Sequence, residues 1–177
     1  EGSAFVISPE HVMTNAHVVA GVRRAFVQPS GAEAVNASVV YFDPKVDVAV
    51  LHAPGLKLGP LAFRDDPQRD AESAVVGYPN DGPLRIDEAR IRSEHVLIGQ
   101  DIYGEDRVSR TVIAVRGTVR SGNSGGPLLG EDGRVYGVVF ATSLTDSETG
   151  YALSVGEVQE ALAAGGQATT AVPTGGC

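Results

Sequence analysis

The stretch RSGNSGGPLL (residues 120–129) sets one serine, Ser124, between Gly122-Asn123 and the pair Gly125-Gly126. Glycines on both sides permit positive backbone φ, so the chain can curl until consecutive N–H groups point into one concavity. Two readings follow: a nucleophile held in a tight turn, or a hydroxyl in a flexible glycine loop. A serine hydroxyl is a weak nucleophile at neutral pH. It needs a base within hydrogen-bond reach, and that base needs a carboxylate behind it. The choice therefore rests on the histidines and acids elsewhere in the chain.

There are four histidines. His17 stands in MTNAHVV (residues 13–19), after a strand-like run at 12–14 and at the start of a short helical turn over 15–19. Asp47 stands in DPKVDVAVL (residues 43–51), a lone carboxylate leading an apolar strand. Burying a charge there is costly without a partner, and an imidazole N–H would supply one. Asp43 competes for the role, but it precedes Pro44 and reads as a turn residue. His11, His52 and His95 have no accompanying motif and read as surface or loop residues. No clustering of His, Cys or carboxylates has the spacing of a metal site, and no cofactor is implied.

With 177 residues, 42% apolar and 20% charged, the composition suits one soluble globular domain, or two subdomains sharing a core. A net charge of −8 speaks against a phosphate-binding surface and hence against nucleic acid as a partner. No apolar run approaches the ~18–20 residues that span a bilayer. The chain begins at Glu1 without Met, so it is expected to be a processed or excised piece, with any membrane anchor upstream. Cys177, the single cysteine, is the last residue; it is a free thiol or its partner lies outside this chain.

Short β-branched and apolar runs recur at residues 4–7, 25–28, 38–42, 46–51, 73–77, 89–96, 108–115, 135–141 and 150–155, broken by Gly, Pro, Asp and Asn. Their length and spacing predict an all-β sandwich or barrel rather than alternating βαβ units. EDGR (residues 131–134) predicts a hairpin turn. One helix is expected over 155–164, with Val155, Val158 and Leu162 on one face and Gly165-Gly166 to end it. The proline-bearing middle, 55–68, is expected to connect two halves, and the Thr-, Gly- and Ala-rich tail 167–177 to be a loosely held extension.

TNAHVV, VDVAVL and SGNSGGPL, in the order His, Asp, Ser, resemble the signature of trypsin-like serine proteases, above all the bacterial HtrA-type branch. The three residues are separated by 30 and 77 positions, compatible with base and acid on a first barrel and the nucleophile on a second. A closer resemblance is to the actinobacterial family of membrane-anchored periplasmic proteases linked to acid resistance. It rests on SPEHVMTNAHVVAG, DPKVDVAVL, VVGYP, DIYG, GVVFA and ETGYALSVGEV. It implies a single protease domain over 1–177 made of two packed antiparallel six-stranded β-barrels of chymotrypsin type, with room for truncation in the first. The first barrel would cover about 1–65, the second about 70–155, a short C-terminal helix 155–166 and a tail 167–177.

The resemblance also assigns roles. His17 is the general base, Asp47 its orienting acid and Ser124 the nucleophile, with the amides of Gly122 and Ser124 as the oxyanion hole. Thr118, six before the nucleophile, lies at the base of the primary substrate pocket. Phe140, Ala141 and Thr142 pair with the substrate backbone, and Leu153 walls the pocket. Thr118 is uncharged, so cleavage after Lys or Arg is not expected; small or medium apolar residues are. Cys177 matches one half of a disulfide clamp whose other half precedes Glu1. The expected partner is a protein or peptide substrate, with a monomeric protease domain held at the periplasmic face of the cytoplasmic membrane by segments absent from this chain.

Asn123 stands where animal digestive enzymes carry an Asp that pairs with a newly cut N-terminal amine. It has no charge, so activation by such a cut is not expected. Two alternatives remain. Gly122 to Gly126 also fits the nucleophile elbow of α/β-hydrolases, but those need a histidine after the serine, and the last histidine here is His95. An inactive relative kept as a binding module would normally lack a triad member, and all three are present.

Overall fold

The structure, a computed structural model, describes residues 1–176. The N-terminal half forms β1 (Phe5–Ser8), β2 (His11–Thr14), a single turn of helix α1 (Ala16–Val19), β3 (Ala25–Val27), β4 (Val35–Asp43) and β5 (Val48–His52). These five strands make an antiparallel sheet in the order β1-β2-β5-β4-β3. The C-terminal half forms β6 (Glu72–Gly77), β7 (Arg85–Gln100), β8 (Arg107–Gly117), β9 (Pro127–Gly130), β10 (Val135–Thr142) and β11 (Thr149–Ser154). They close into a ring in the order β10-β11-β8-β7-β6-β9. Helix α2 (Val155–Glu160) follows and winds into a wider turn over Ala161–Gly165.

The chymotrypsin-type all-β architecture expected from the sequence is present, with the first barrel reduced from six strands to five. The reason lies in the connector. Residues 54–71 run beside β1 without becoming a strand, touching it through Leu61 N–H to the Val6 carbonyl at 2.9 Å. Pro54, Pro60 and Pro67 each lack an N–H for a ladder. The same connector exchanges two hydrogen bonds with Val135, from Arg64 N–H and to the Ala62 carbonyl, so it stitches the two halves together.

The predicted hairpin at 131–134 joins β9 to β10, with Gly133 at φ +73°. β9 itself had no signal of its own: four residues opening on Pro127 carry no alternation to read. The ring interior is filled by Val75, Ile91, Ile113, Val115, Leu128 and Val139. A second core is shared between the halves, with Phe5, Met13 and Val50 meeting Val138, Leu153 and Val158. Val158 brings α2 into that core, and each such fully buried aliphatic side chain contributes roughly 1.5–3 kcal/mol.

Three expectations change. His11 is a buried residue of β2 and stacks on His52 of β5 at 4.8 Å between ring centroids; neither is a loop residue. His95 keeps its reading as a surface residue, exposed on β7. The tail is not loosely held along its described length. The Ala168 carbonyl sits 2.8 Å from His11 Nε2, Val172 N–H donates to the Val39 carbonyl, and Gly21 N–H donates to the Thr174 carbonyl. Its composition carried no period because backbone groups, not an apolar face, hold it. Cys177 and its expected disulfide lie outside the described residues.

Candidate active site

Asp47 closes the loop between β4 and β5. Asp43 begins that loop as a true turn residue, its carboxylate accepting the N–H groups of Lys45 and Val46 at 2.8 and 3.0 Å. The turn delivers Asp47 with φ at +72°, a left-handed conformation that Asp tolerates better than bulkier residues. Its side chain is only 5% exposed. Both carboxylate oxygens are taken by one residue: Oδ1 accepts His17 N–H at 2.9 Å and Oδ2 lies 2.8 Å from His17 Nδ1. Asn15, fully buried, donates its side-chain amide to the Asp47 carbonyl at 2.9 Å and fixes the loop from below.

A carboxylate can only accept from the ring, so Nδ1 carries the proton of the neutral imidazole. Nε2 is left with its lone pair, facing away from Asp47. His17 is 37% exposed at its side chain, so that lone pair is reachable. A base held in this tautomer by a buried acid is the arrangement that proton abstraction from a hydroxyl requires.

Ser124 lies on the loop between β8 and β9, with Gly122 at φ +93° and Gly125 at φ +84°. Any side chain at Gly125 would collide with the Ser3 carbonyl and Thr14 Oγ1, and one at Gly122 with the Tyr78 carbonyl. Glycine is thus required at both places by conformation and by room. The loop meets the turn that carries His17. A side chain on Gly2 would begin 2.7 Å from Val18 Cγ2 and 2.9 Å from the Ser124 carbonyl oxygen. Among the described residues Ser124 Oγ forms no hydrogen bond, to His17 or otherwise. Serine–histidine contacts in unliganded sites are often loose and tighten on substrate.

Within the loop Asn123 N–H bonds the Arg120 carbonyl and Gly125 N–H the Val139 carbonyl. Among the described residues the N–H groups of Gly122 and Ser124 donate to no protein acceptor. Asn123 is fully buried, and neither atom of its amide has a partner.

The substrate-facing expectations divide. Thr118 is exposed at the end of β8, and beside it a side chain on Gly150 would collide with Val119. Phe140, Ala141 and Thr142 end β10 beyond the last β9 partner, Pro127, so one edge of this segment pairs with no strand among the described residues. Leu153 is fully buried in the core shared by the two halves and offers no surface to a substrate. Position alone did not reveal that it faces inward, between Val112 of β8 and Val138 of β10.

A trypsin-like peptidase domain model matches residues 2–138. The chain belongs to the trypsin-like peptidase family. The serine protease Rv3671c of Mycobacterium tuberculosis strain H37Rv is 48% identical over the whole of this chain, which covers 45% of that relative, so the chain spans about half its length. Among solved structures, the active form of the Rv3671c protease superposes with a TM-score of 0.96 at 47% identity, covering 99% of this chain and 78% of the other. Its inactive form matches less closely, with a TM-score of 0.84 over 92% of this chain and 82% of the other. A probable periplasmic DegP-like serine endoprotease from Halomonas elongata is 32% identical over 77% of this chain and 28% of its own length.

Proposed function

We propose that this peptidase domain is a serine endopeptidase that cleaves peptide bonds through an acyl-enzyme. The observation that carries the reading is the double hold of Asp47 on His17, which leaves Nε2 as the free base. Ser124 Oγ attacks the scissile carbonyl carbon while His17 Nε2 takes its proton. The carbonyl π electrons move to oxygen, and the oxyanion is met by the unpaired N–H groups of Gly122 and Ser124. Collapse breaks the C–N bond, and His17 gives its proton to the departing amine. Water then attacks the ester, His17 takes a proton from it, and Ser124 leaves with that proton restored. Losing one oxyanion donor typically costs ~10²–10³ in rate.

The substrate backbone adds as a strand on the free edge of Phe140, Ala141 and Thr142. Thr118 puts no charge at the primary pocket, which favours small or medium apolar residues before the cut. The similarity to a periplasmic DegP-like relative supports an extracytoplasmic setting. No helix among the described residues is long and apolar enough to cross a membrane. In this reading the tether lies in segments outside this chain. The protease domain acts as a monomer, in a protein concerned with stress or acid resistance. Because His17 must be neutral to accept a proton, activity falls on acidification, and a profile flat down to about pH 4 would contradict this role.

The deciding experiment is fluorophosphonate labelling. Stoichiometric modification that disappears in Ser124→Ala, together with loss of peptide hydrolysis by ~10⁴-fold or more, is expected. No labelling of the parent protein would favour a catalytically silent binding module.

A further inference from the structure

We propose that Ser3 is a positioning residue that holds the oxyanion loop in its working shape, an inference that rests on the protease reading above. Oxyanion donors contribute only if they point inward before the charge develops. A loop with two glycines at positive φ has the freedom to rotate its peptide planes, so something must fix them. Each peptide unit is planar, and holding a carbonyl therefore holds the N–H of the following residue.

The planes of this loop are held one by one. The Ser121 carbonyl accepts Asn80 N–H at 2.9 Å, which sets the N–H of Gly122. The Gly122 carbonyl accepts Ser3 Oγ–H at 2.6 Å. The Asn123 carbonyl accepts Gly126 N–H at 2.9 Å, which sets the N–H of Ser124. The Ser124 carbonyl accepts Ser3 N–H at 2.8 Å. Ser3 thus grips the 122–123 and 124–125 planes, which adjoin the two planes that carry the Gly122 and Ser124 amides and limit how far those can rotate.

The same hydroxyl also reaches the 121–122 plane, indirectly. Ser3 Oγ accepts Tyr78 N–H at 2.9 Å, two residues before the Asn80 that holds Ser121. One donated and one accepted bond take the hydroxyl's single proton and one of its two lone pairs, with no conflict of direction. Ser3 is itself fixed by Thr14 Oγ1–H to its carbonyl at 2.8 Å, and Thr14 directly precedes the Asn15 that braces Asp47. Ser3 itself is buried, at 3% exposure. One buried serine therefore ties the nucleophile loop of the second barrel to the strand that leads into the base, without using a charged group.

The test compares Ser3→Ala and Ser3→Thr with the parent protein on a peptide substrate, a peptide boronic acid that forms a tetrahedral adduct, and thermal melting. For Ser3→Ala, kcat is expected to fall ~10–100-fold and the boronate to bind more weakly by a similar factor, with KM within about twofold. Ser3→Thr, which keeps the hydroxyl, should recover most of kcat. A Ser3→Ala protein whose kcat and boronate affinity stay within about twofold of the parent overturns the proposal. So does a loss that affects kcat and KM alike and that Ser3→Thr does not relieve. Should Ser3→Ala not fold, Ser3→Cys carries the decision: its weaker donor must lower kcat, and full kcat overturns the role. If the parent itself takes up no fluorophosphonate, the protease reading fails and the proposal with it. If the parent reacts and turns over while Ser3→Ala equals it, only the role of Ser3 fails.

Discussion

Asn123 occupies a fully buried position beside Ser124 with neither side-chain amide atom bonded among the described residues, so it has no partner to lend a charge. Replacing it by Asp would bury a carboxylate, and the guanidinium of Arg120, whose carbonyl accepts Asn123 N–H, is already paired to Asp87 at 2.8 Å. An unpaired buried charge typically costs ~3–5 kcal/mol. Asn123→Asp should therefore melt well below the parent at neutral pH and regain part of the difference in mild acid, where the carboxyl can stay protonated. Equal melting temperatures at both pH values would show that a cation reaches the site. At this scale the sequence was legible where chemistry demands a partner. Asp47 had to be satisfied because it leads an apolar strand, and Asp43 announced itself as a turn residue by preceding Pro44. Ser3 gave no comparable sign. Its importance lies in the carbonyls it reaches from the far side of the chain, and no local pattern encodes those.

The segment between β10 and β11 follows directly on Phe140, Ala141 and Thr142, one edge of which pairs with no strand among the described residues. Asp146 organises it, accepting Thr149 Oγ1–H at 2.7 Å, Glu148 N–H at 3.0 Å and Arg92 Nη1 at 3.3 Å. The Thr149 hydroxyl first, then the Glu148 amide and Arg92, hold the Asp146 carboxyl below its ordinary 3.8. A carboxylate lowered by folding stabilises the native state fully above the ordinary value, and that help is lost as pH falls through the lowered one. Hydrogen exchange at Glu148 and Thr149, taken relative to the intrinsic rate at each pH, should therefore accelerate as pH falls below the ordinary carboxylate range in the parent. In Asp146→Asn it should be fast already at neutral pH and change little with acid. Exchange in the variant that matches the parent at neutral pH would assign the ordering to other groups. Strands were legible where an apolar run stood clear between turn residues, even the four-residue runs at 4–7 and 25–28. β9 opens on a proline directly after the glycine loop, and the tail is held by backbone groups that composition does not report.

Across the whole molecule the site exists only because two halves share a core. His17 and Asp47 come from the open sheet, Ser124 from the closed ring, and Leu153 is among the side chains that join them. Leu153→Ala should cost ~2–5 kcal/mol through the lost side chain and the cavity it leaves. Hydrolysis should fall as the protein unfolds, with the ranking of substrates by their residue before the cut unchanged. A shifted ranking in a variant of normal stability would restore Leu153 to the pocket. Strand count and turn spacing made an all-β sandwich or barrel legible, and the two-barrel plan, with room for a truncated first barrel, came from the family resemblance carried by three motifs in order. Which strand is missing was not legible, because prolines in a connector forbid a ladder without saying what the chain does instead.

The open sheet has a consequence for how copies of this protein meet in solution. An unclosed sheet exposes strand edges that can recruit a strand from another molecule. The β1 edge is already occupied by the connector at Leu61. The β3 edge is three residues long, with exposed Arg23 and Arg24 before it and Pro29 two positions beyond its end. So short a template, flanked by like charges and a residue without an N–H, gives an incoming strand almost nothing to grip. Losing barrel closure therefore brings no seed for fibre growth, even with Phe26 standing 60% exposed at its centre.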